Sequence, residues 1–246
     1  MKPIISFHLL GITFQTWGLF FAIAALAGFL MLIKEAKRKK VSLDLAYNLY
    51  FIGFFAGIIG ARTFYFLIHP QYFSATGFLY FWQGGYILFG GALLALIFII
   101  LYLYFKKEPI LNTLNLLVIP GLISLIIVRF GSVLIQDNIG QITILPWAIN
   151  FLGETRHPID LYFILLDILL LGLAFFLDRI KKNRSLFFWI MLFLSVGRLI
   201  IHSCMTFISA WDANLDIIFW SLALIISLVL LGYNYKETKE LNSQKA

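Results

Sequence analysis

The chain has a single cysteine, Cys204, among its 246 residues, so it can close no disulfide within itself and offers no cysteine cluster for a metal. Charge is scarce as well: 13% of the residues are Asp, Glu, Lys or Arg, against about 25% in soluble globular domains. That deficit excludes a freely soluble globular protein and leaves no stretch for a sizeable soluble domain. Internal repeats, low-complexity linkers and a boundary toward a second module are also missing, so a transporter built on repeat symmetry has no support here. The formal net charge is +7. With so few charges, their positions carry more information than their sum, and a nucleic-acid footprint is not implied.

What is present is apolar: 61% of the residues are hydrophobic, gathered in seven runs at roughly 13–33, 46–68, 86–105, 110–135, 160–178, 186–208 and 216–235. A run of about 20 residues crosses the ~30 Å hydrocarbon core of a bilayer as a helix. The expected fold is therefore an all-α integral membrane protein, a bundle of about seven transmembrane helices forming one polytopic domain over residues 1–246. Lys34, Lys37, Arg38, Lys39 and Lys40 follow the first run. Lys106 and Lys107 follow the third, Arg179, Lys181, Lys182 and Arg184 the fifth, and Lys236, Lys239 and Lys245 the seventh. The alternate connections carry only Arg156, so the positive-inside bias places the N-terminus outside and the C-terminus in the cytoplasm. Lys2 with Ala22, Ala24 and Ala25 gives the first run some likeness to a secretion signal, but its length and the basic cluster behind it read as a membrane span.

Four arginines stand outside that orientation signal: Arg62, Arg129, Arg156 and Arg198. Three of them lie within apolar runs, where a charge costs at least ~2.5 kcal/mol at the membrane centre. Each has a plain reading, pairing with an intramembrane acid such as Asp167 or snorkelling to the interface. Together they favour a site. Guanidinium groups present paired donors that match phosphate, so the expected ligand is an anionic phospholipid headgroup. Arg62, Tyr65 and His69 at i, i+3 and i+7, and Arg198 and His202 at i and i+4, place one polar stripe on each of two helices. Asp160 and Asp167 also share a face. Trp82-Gln83-Gly84-Gly85 with Gly90-Gly91 allows close approach of a backbone to a ligand or to another helix. Arg129-Phe-Gly131-Ser132, running on to Gln136-Asp137-Asn138-Ile-Gly140, makes a polar end to the fourth span.

At these residues the sequence resembles the bacterial prolipoprotein diacylglyceryl transferase family. The family signature, approximately Gly-Arg-x-Gly-Asn-Phe-x-Asn-x-Glu-x-x-Gly, is matched in register by Arg129, Gly131 and Gly140. Further landmarks follow in the family's order along nearly the whole chain: Trp17-Gly18, Gly60-Ala61-Arg62 with Phe64-Tyr65, Trp82-Gln83-Gly84-Gly85, Pro146-Trp147-Ala148, Arg156-His157-Pro158 with Leu161-Tyr162, and Gly197-Arg198. The resemblance implies transfer of a diacylglyceryl group from phosphatidylglycerol to the lipobox cysteine thiol in a prolipoprotein signal peptide. The product is a thioether, glycerol phosphate leaves, and the reaction belongs to lipoprotein biosynthesis. It implies a multi-pass protein of the bacterial cytoplasmic (inner) membrane that needs no cofactor or metal.

Several positions depart from the family pattern. Phe89 stands where the family has a histidine, Ser132 and Ile135 replace asparagines, Asp137 replaces a glutamate, and Met205 and Thr206 fall where a further arginine and an acid are expected. Phe163 replaces the glutamate after Leu-Tyr, Ile159-Asp160 replace Ser-Gln, and Trp17 replaces a tyrosine. Two readings follow: a diacylglyceryl transferase, or a non-catalytic or re-purposed phospholipid-binding relative. For the first, the expected catalytic residues are Arg129, Asp137 and His157, with His69 a second candidate base. Substrate binding is expected from Arg62, Arg129, Arg156, Arg198, Gln83, Gly84, Gly85, Gly131 and Gly140.

Overall fold

In a bilayer core the backbone finds no water, so N–H and C=O groups must bond each other, and long apolar runs become helices. The computed structural model describes residues 6–9, 12–79, 85–151, 153–180, 185–207 and 210–243. In chain order the elements are β1 (Ser6–Leu9), β2 (Ile12–Gln15), α1 (Thr16–Lys39), α2 (Leu43–Ile68), α3 (Ala75–Leu79), α4 (Leu88–Lys106), α5 (Ile110–Ile135), β3 (Ile149–Phe151), β4 (Glu154–Arg156), α6 (Ile159–Arg179), α7 (Leu186–His202) and α8 (Ala210–Ser243). Six of the helices, α1, α2, α4, α5, α6 and α8, are long and apolar enough to span a membrane. The seventh, α7, is apolar with 17 residues, at the short end of the spanning range. The protein is thus an all-α, multi-pass membrane protein, and the seven apolar runs correspond to its seven main helices.

Four boundaries differ from the sequence expectation by six residues or more: α1 runs on to Lys39 past 33, α8 runs on to Ser243 past 235, and two others lie at the α7–α8 connection. α7 ends at His202 where the apolar run continues toward 208, and α8 begins at Ala210 ahead of the apolar run near 216. The connection between α5 and α6 also carries an antiparallel hairpin, β3–β4, paired from Ile149↔Arg156 to Phe151↔Glu154. Gly153, at φ +92°, turns it, and its N–H bonds the Asn150 side chain at 3.2 Å.

By its contacts the chain forms two compact units, one of residues 28–116 and one of residues 1–27 with 117–246. In the first, α2 and α4 pack through glycine. A Cβ on Gly91 would lie 2.8 Å from the Gly57 carbonyl oxygen, and one on Gly60 would lie 2.6 Å from that of Gly90. Small residues let membrane helices approach at backbone contact, where dispersion and close packing replace the missing hydrophobic drive.

In the other unit α6, α7 and α8 are neighbours in sequence order. Gly197 lets α7 press against Leu166 of α6, whose Cδ1 would sit 2.5 Å from an added Cβ. The loops at one end are stitched together: Gln141 N–H bonds the Cys204 carbonyl at 2.8 Å, Thr206 N–H bonds that of Ile139 at 2.8 Å, and His157 N–H bonds that of Gln141 at 3.0 Å. This joins the α5–α6 connection to the α7–α8 connection.

Three helices close on a left-handed residue that is not glycine: Lys40 after α1 and Lys107 after α4, both at φ +56°, and Gln136 after α5 at φ +54°. In each, the following residue's N–H reaches back over the turn, Val41 to Ala36 O, Glu108 to Leu103 O and Asp137 to Ser132 O. These are the bonds of a Schellman closure.

The glycine contact between α2 and α4 predicts that Gly91→Leu destabilises the chain by about 1–3 kcal/mol, the usual cost of overpacking. Gly121→Ala, inside α5 and with an added Cβ that meets nothing within 4 Å, should instead raise stability by about 0.5–1 kcal/mol. Thermal unfolding of the two variants in detergent checks both outcomes.

Candidate functional site

The polar residues of the second unit gather where the C-terminal ends of α5 and α7 meet the N-terminal ends of α6 and α8. Helical spacing brings Asp160, Phe163 and Asp167 to one face of α6 and Arg198 and His202 to one face of α7. Phe163, only 1% exposed, is the centre of this arrangement. The guanidinium carbons of Arg129 and of Arg198 each lie 4.2 Å from its ring centroid, so at most twice that distance separates them. An aromatic face attracts a cation, by about 2 kcal/mol or more once water is excluded. One ring thus holds two arginines that would otherwise repel each other.

Two carboxylates balance them. Asp167 Oδ2 lies 3.9 Å from Arg129 Nε, an ionic contact too long for a hydrogen bond. Asp216 of α8 takes Arg198 Nη2 at 3.5 Å and the Trp220 indole N–H at 3.0 Å on Oδ1, and His202 Nδ1 at 2.9 Å on Oδ2. The side chains of Arg129 and Arg198 are 12% and 10% exposed. Even so, the buried Nε atoms of both, and Asp167 Oδ2, make no hydrogen bond. Buried guanidinium donors of this kind, positioned but not saturated, suit an anion with several acceptor oxygens.

The loop after α5 continues the site. Burial raises the Asp137 carboxyl above the usual carboxylate range, and the Arg129 charge acts in the opposite direction. Asn138 donates its side-chain N–H₂ to Asp160 Oδ1 at 2.6 Å, fixing the start of α6. Gly140 is required by close approach, because a Cβ there would fall onto the His157 carbonyl. Gly131 has the same role against Phe20, whose Cβ would lie 2.7 Å away.

Arg156 donates from Nη1 to the Gly140 carbonyl at 2.8 Å and pairs with Glu154, so it pins the hairpin to the loop. His157 Nδ1 stands 3.0 Å from the Tyr162 hydroxyl, which receives the Trp147 indole N–H at 2.8 Å. A cleft of about 300 Å³ opens here, lined among others by Gln136, Asn138, Arg156, His157 and Asp160.

The structure therefore brings Arg129, Asp137, Arg156, His157, Arg198, Gly131 and Gly140 into one unit. Arg62 belongs to the other, where Nη1 and Nη2 bond the carbonyls of Gly85 at 3.2 Å and Gly77 at 2.5 Å. Its guanidinium also lies 4.9 Å from the Phe66 ring centroid and 5.4 Å from that of Tyr86. Gly85, at φ +76°, adopts a left-handed conformation beside Tyr65, whose ring an added Cβ would meet at 2.8 Å. Trp82, Gln83 and Gly84 lie outside the described residues. Among the described residues no group of three or more His, Cys, Asp or Glu is placed to hold a metal ion.

The arrangement adds Asp216, Trp220 and the orientation of His202 to the residues named from sequence. A carboxylate following a hydrophilic connection looks like a helix boundary, and only the early start of α8 puts Asp216 inside a helix. Phe163 stood out in the sequence only as a departure from the family pattern, and one apolar residue in an apolar span gives no sign of two cations on its ring.

The chain's similarities to known proteins agree with this geometry. The model of the family described as prolipoprotein diacylglyceryl transferase matches residues 4–235. A phosphatidylglycerol–prolipoprotein diacylglyceryl transferase of Finegoldia magna is 26% identical over 240 residues, covering 95% of this chain and 96% of that one. The enzyme of the same name from Clostridium tetani is 26% identical over 82% of this chain and 84% of its own length. The one from Chloroherpeton thalassium is 30% identical over 73% of this chain and 71% of its own. With a family match along nearly its whole length, on a helical scaffold that draws Arg129 and Arg198 to one end, the chain belongs to the prolipoprotein diacylglyceryl transferase family and is a transferase.

Proposed function

We propose that the chain transfers a diacylglyceryl group from phosphatidylglycerol to the cysteine thiol in the lipobox of a prolipoprotein signal peptide. The observation that carries this reading is the pair of buried guanidinium groups on Phe163, each with an Nε that bonds nothing. In the reaction the thiol sulfur attacks the diacylglyceryl carbon bonded to the phosphate oxygen. That C–O bond breaks, and glycerol phosphate leaves with the electron pair and one more negative charge than the phosphodiester carried. Donors fixed in a water-poor site and aimed at the developing charge stabilise the transition state more than the ground state. Arg129 and Arg198 serve this purpose, and Asp167 and Asp216 hold them in place without saturating them.

Asp137 and Asn138 shape the loop over the phosphate. The Tyr162 hydroxyl accepts the Trp147 N–H and shares a hydrogen bond with His157 Nδ1, which fixes the imidazole beside the cleft. His157 lines that cleft, placed to orient a substrate group. Arg156 and Gly140 keep that cleft formed, and Gly131 keeps α1 close to α5. In the other unit Arg62 orders the turn at Gly85 that follows Gln83 and Gly84.

The distribution of basic residues supports an orientation with the N-terminus outside, the C-terminus in the cytoplasm, and this site at the outer face of a bacterial cytoplasmic membrane. Ile144 is fully exposed on the α5–α6 connection. In a Cys204→Ser background, Ile144→Cys should react with a membrane-impermeant maleimide added to intact spheroplasts; labelling only after lysis would reverse the orientation.

Incubating the purified chain with phosphatidylglycerol and a lipobox peptide, and following the thioether by mass spectrometry, tests the activity. Arg129→Ala should lower kcat/KM by about 10²–10³-fold, the effect of losing one transition-state donor. Absence of thioether with the unmodified chain would overturn the reading. Phe163→Leu keeps an apolar side chain and removes the ring; it should raise KM for phosphatidylglycerol and cost about 2 kcal/mol or more of stability through the two released cations and the space left behind, read by kinetics and thermal unfolding.

A further inference from the structure

The transfer needs a base for the thiol, because the thiolate is the nucleophile. The two histidines in this unit whose partners are defined differ in what they meet. His157 Nδ1 faces a hydroxyl, that of Tyr162, which can donate or accept and so selects neither tautomer. His202 meets a carboxylate instead, at 2.9 Å from Nδ1 to Asp216 Oδ2. A carboxylate that already receives Arg198 and Trp220 on Oδ1 can only accept, so the proton of His202 resides on Nδ1 and the lone pair is on Nε2. That nitrogen makes no hydrogen bond among the described residues, and the side chain is 14% exposed.

We infer that His202, oriented by Asp216, is the general base that takes the proton from the substrate thiol. The inference rests on the transferase reading given above. A carboxylate behind an imidazole fixes the ring, selects the tautomer and stabilises the imidazolium that forms. Here the same carboxylate also holds Arg198 through its other oxygen, so the base and one of the two phosphate-binding arginines are set by a single group. Arg198 and His202 are one helical turn apart on α7, which places thiol activation and leaving-group stabilisation side by side.

The step balances as follows. The S–H proton passes to His202 Nε2, and the thiolate forms the C–S bond as the carbon–oxygen bond of phosphatidylglycerol breaks. The glycerol phosphate departs as a dianion, and the imidazolium proton then passes to it or to water, returning His202 to its starting form.

The experiment compares the unmodified full-length chain, His202→Gln, His202→Ala and Asp216→Asn in nanodiscs of phosphatidylglycerol with a fluorescent lipobox peptide. His202→Gln should lower kcat by about 10²–10⁴-fold, the usual contribution of a general base, with little change in KM for phosphatidylglycerol. Added imidazole should restore part of the turnover of His202→Ala, an effect that a packing role would not produce. If the unmodified chain is active and His202→Gln keeps its kcat, or imidazole fails to restore His202→Ala that still retains lipid, the assignment of His202 is overturned while the transferase reading stands. If the His202 variants do not fold, Asp216→Asn decides: it keeps the imidazole and removes the charge behind it, which is also the charge that faces Arg198. An unchanged kcat there overturns the proposal. An unmodified chain that makes no thioether overturns both readings together.

Discussion

Two guanidinium ions placed near each other where water is scarce repel strongly, because little dielectric separates them. The helices around Arg129 and Arg198 are arranged to meet that constraint. α6 supplies the Phe163 face and the Asp167 carboxylate, α8 supplies Asp216 and Trp220, and α5 and α7 carry the cations themselves. Two positive and two negative groups leave the cluster close to neutral, which is what permits it within a bundle whose spans are otherwise apolar. Packing and electrostatics are set by the same contacts, since moving α6 away from α7 would separate the ring from Arg198 as well as Leu166 from Gly197. Anion binding disturbs this balance in a useful direction, adding negative charge where the donors still have hydrogens to offer.

The fold was legible because membrane insertion writes itself into composition. Seven apolar runs and the alternation of basic connections identify the helices to within a few residues at most ends. The arginines were legible for the same reason: a charge in an apolar run stands out. Asp160 and Asp167 were readable as one face of a helix from spacing alone. Partners on different helices were not readable. Nothing in the sequence links Asp216 to His202, because the link depends on the angle at which α8 leaves the α7–α8 connection. Phe163 is an apolar residue among apolar residues, and its role comes from what lies above its ring. Arg62 carries the same sequence signal as Arg129, yet its two Nη groups are directed at the carbonyls of Gly77 and Gly85; identical side chains in similar spans thus differ by the backbone that surrounds them.

The end of the second unit also shows how irregular backbone is accommodated beside a bilayer. Loops at that depth cannot leave their amides facing lipid. The α5–α6 connection meets this by pairing with itself in the β3–β4 hairpin and by bonding across to Cys204 and Ile139–Thr206. Arg156 adds a charged side chain as a further donor to the Gly140 carbonyl. The polar cleft beside His157 and Asp160 is thus bounded in part by backbone already hydrogen-bonded, at the Gly140 carbonyl and the His157 N–H.

The lysines that close α1 and α4 bear on how the protein meets bilayers of different thickness. A side chain in the left-handed region costs roughly 1–2 kcal/mol, and glycine would relieve that strain at Lys40 and Lys107. Lysine instead puts an ammonium group, on a long flexible stem, at the residue where the helix stops. Each of these two helices then has a fixed stopping point with a charge attached, held by the reverse bonds to Ala36 and Leu103. To wind further toward a thicker hydrocarbon layer, such an end must first break those bonds. Mismatch is left to helix tilt and to lipid deformation, each costing fractions of a kcal/mol per ångström. The closed ends set where each span stops, and tilt and lipid share the adjustment.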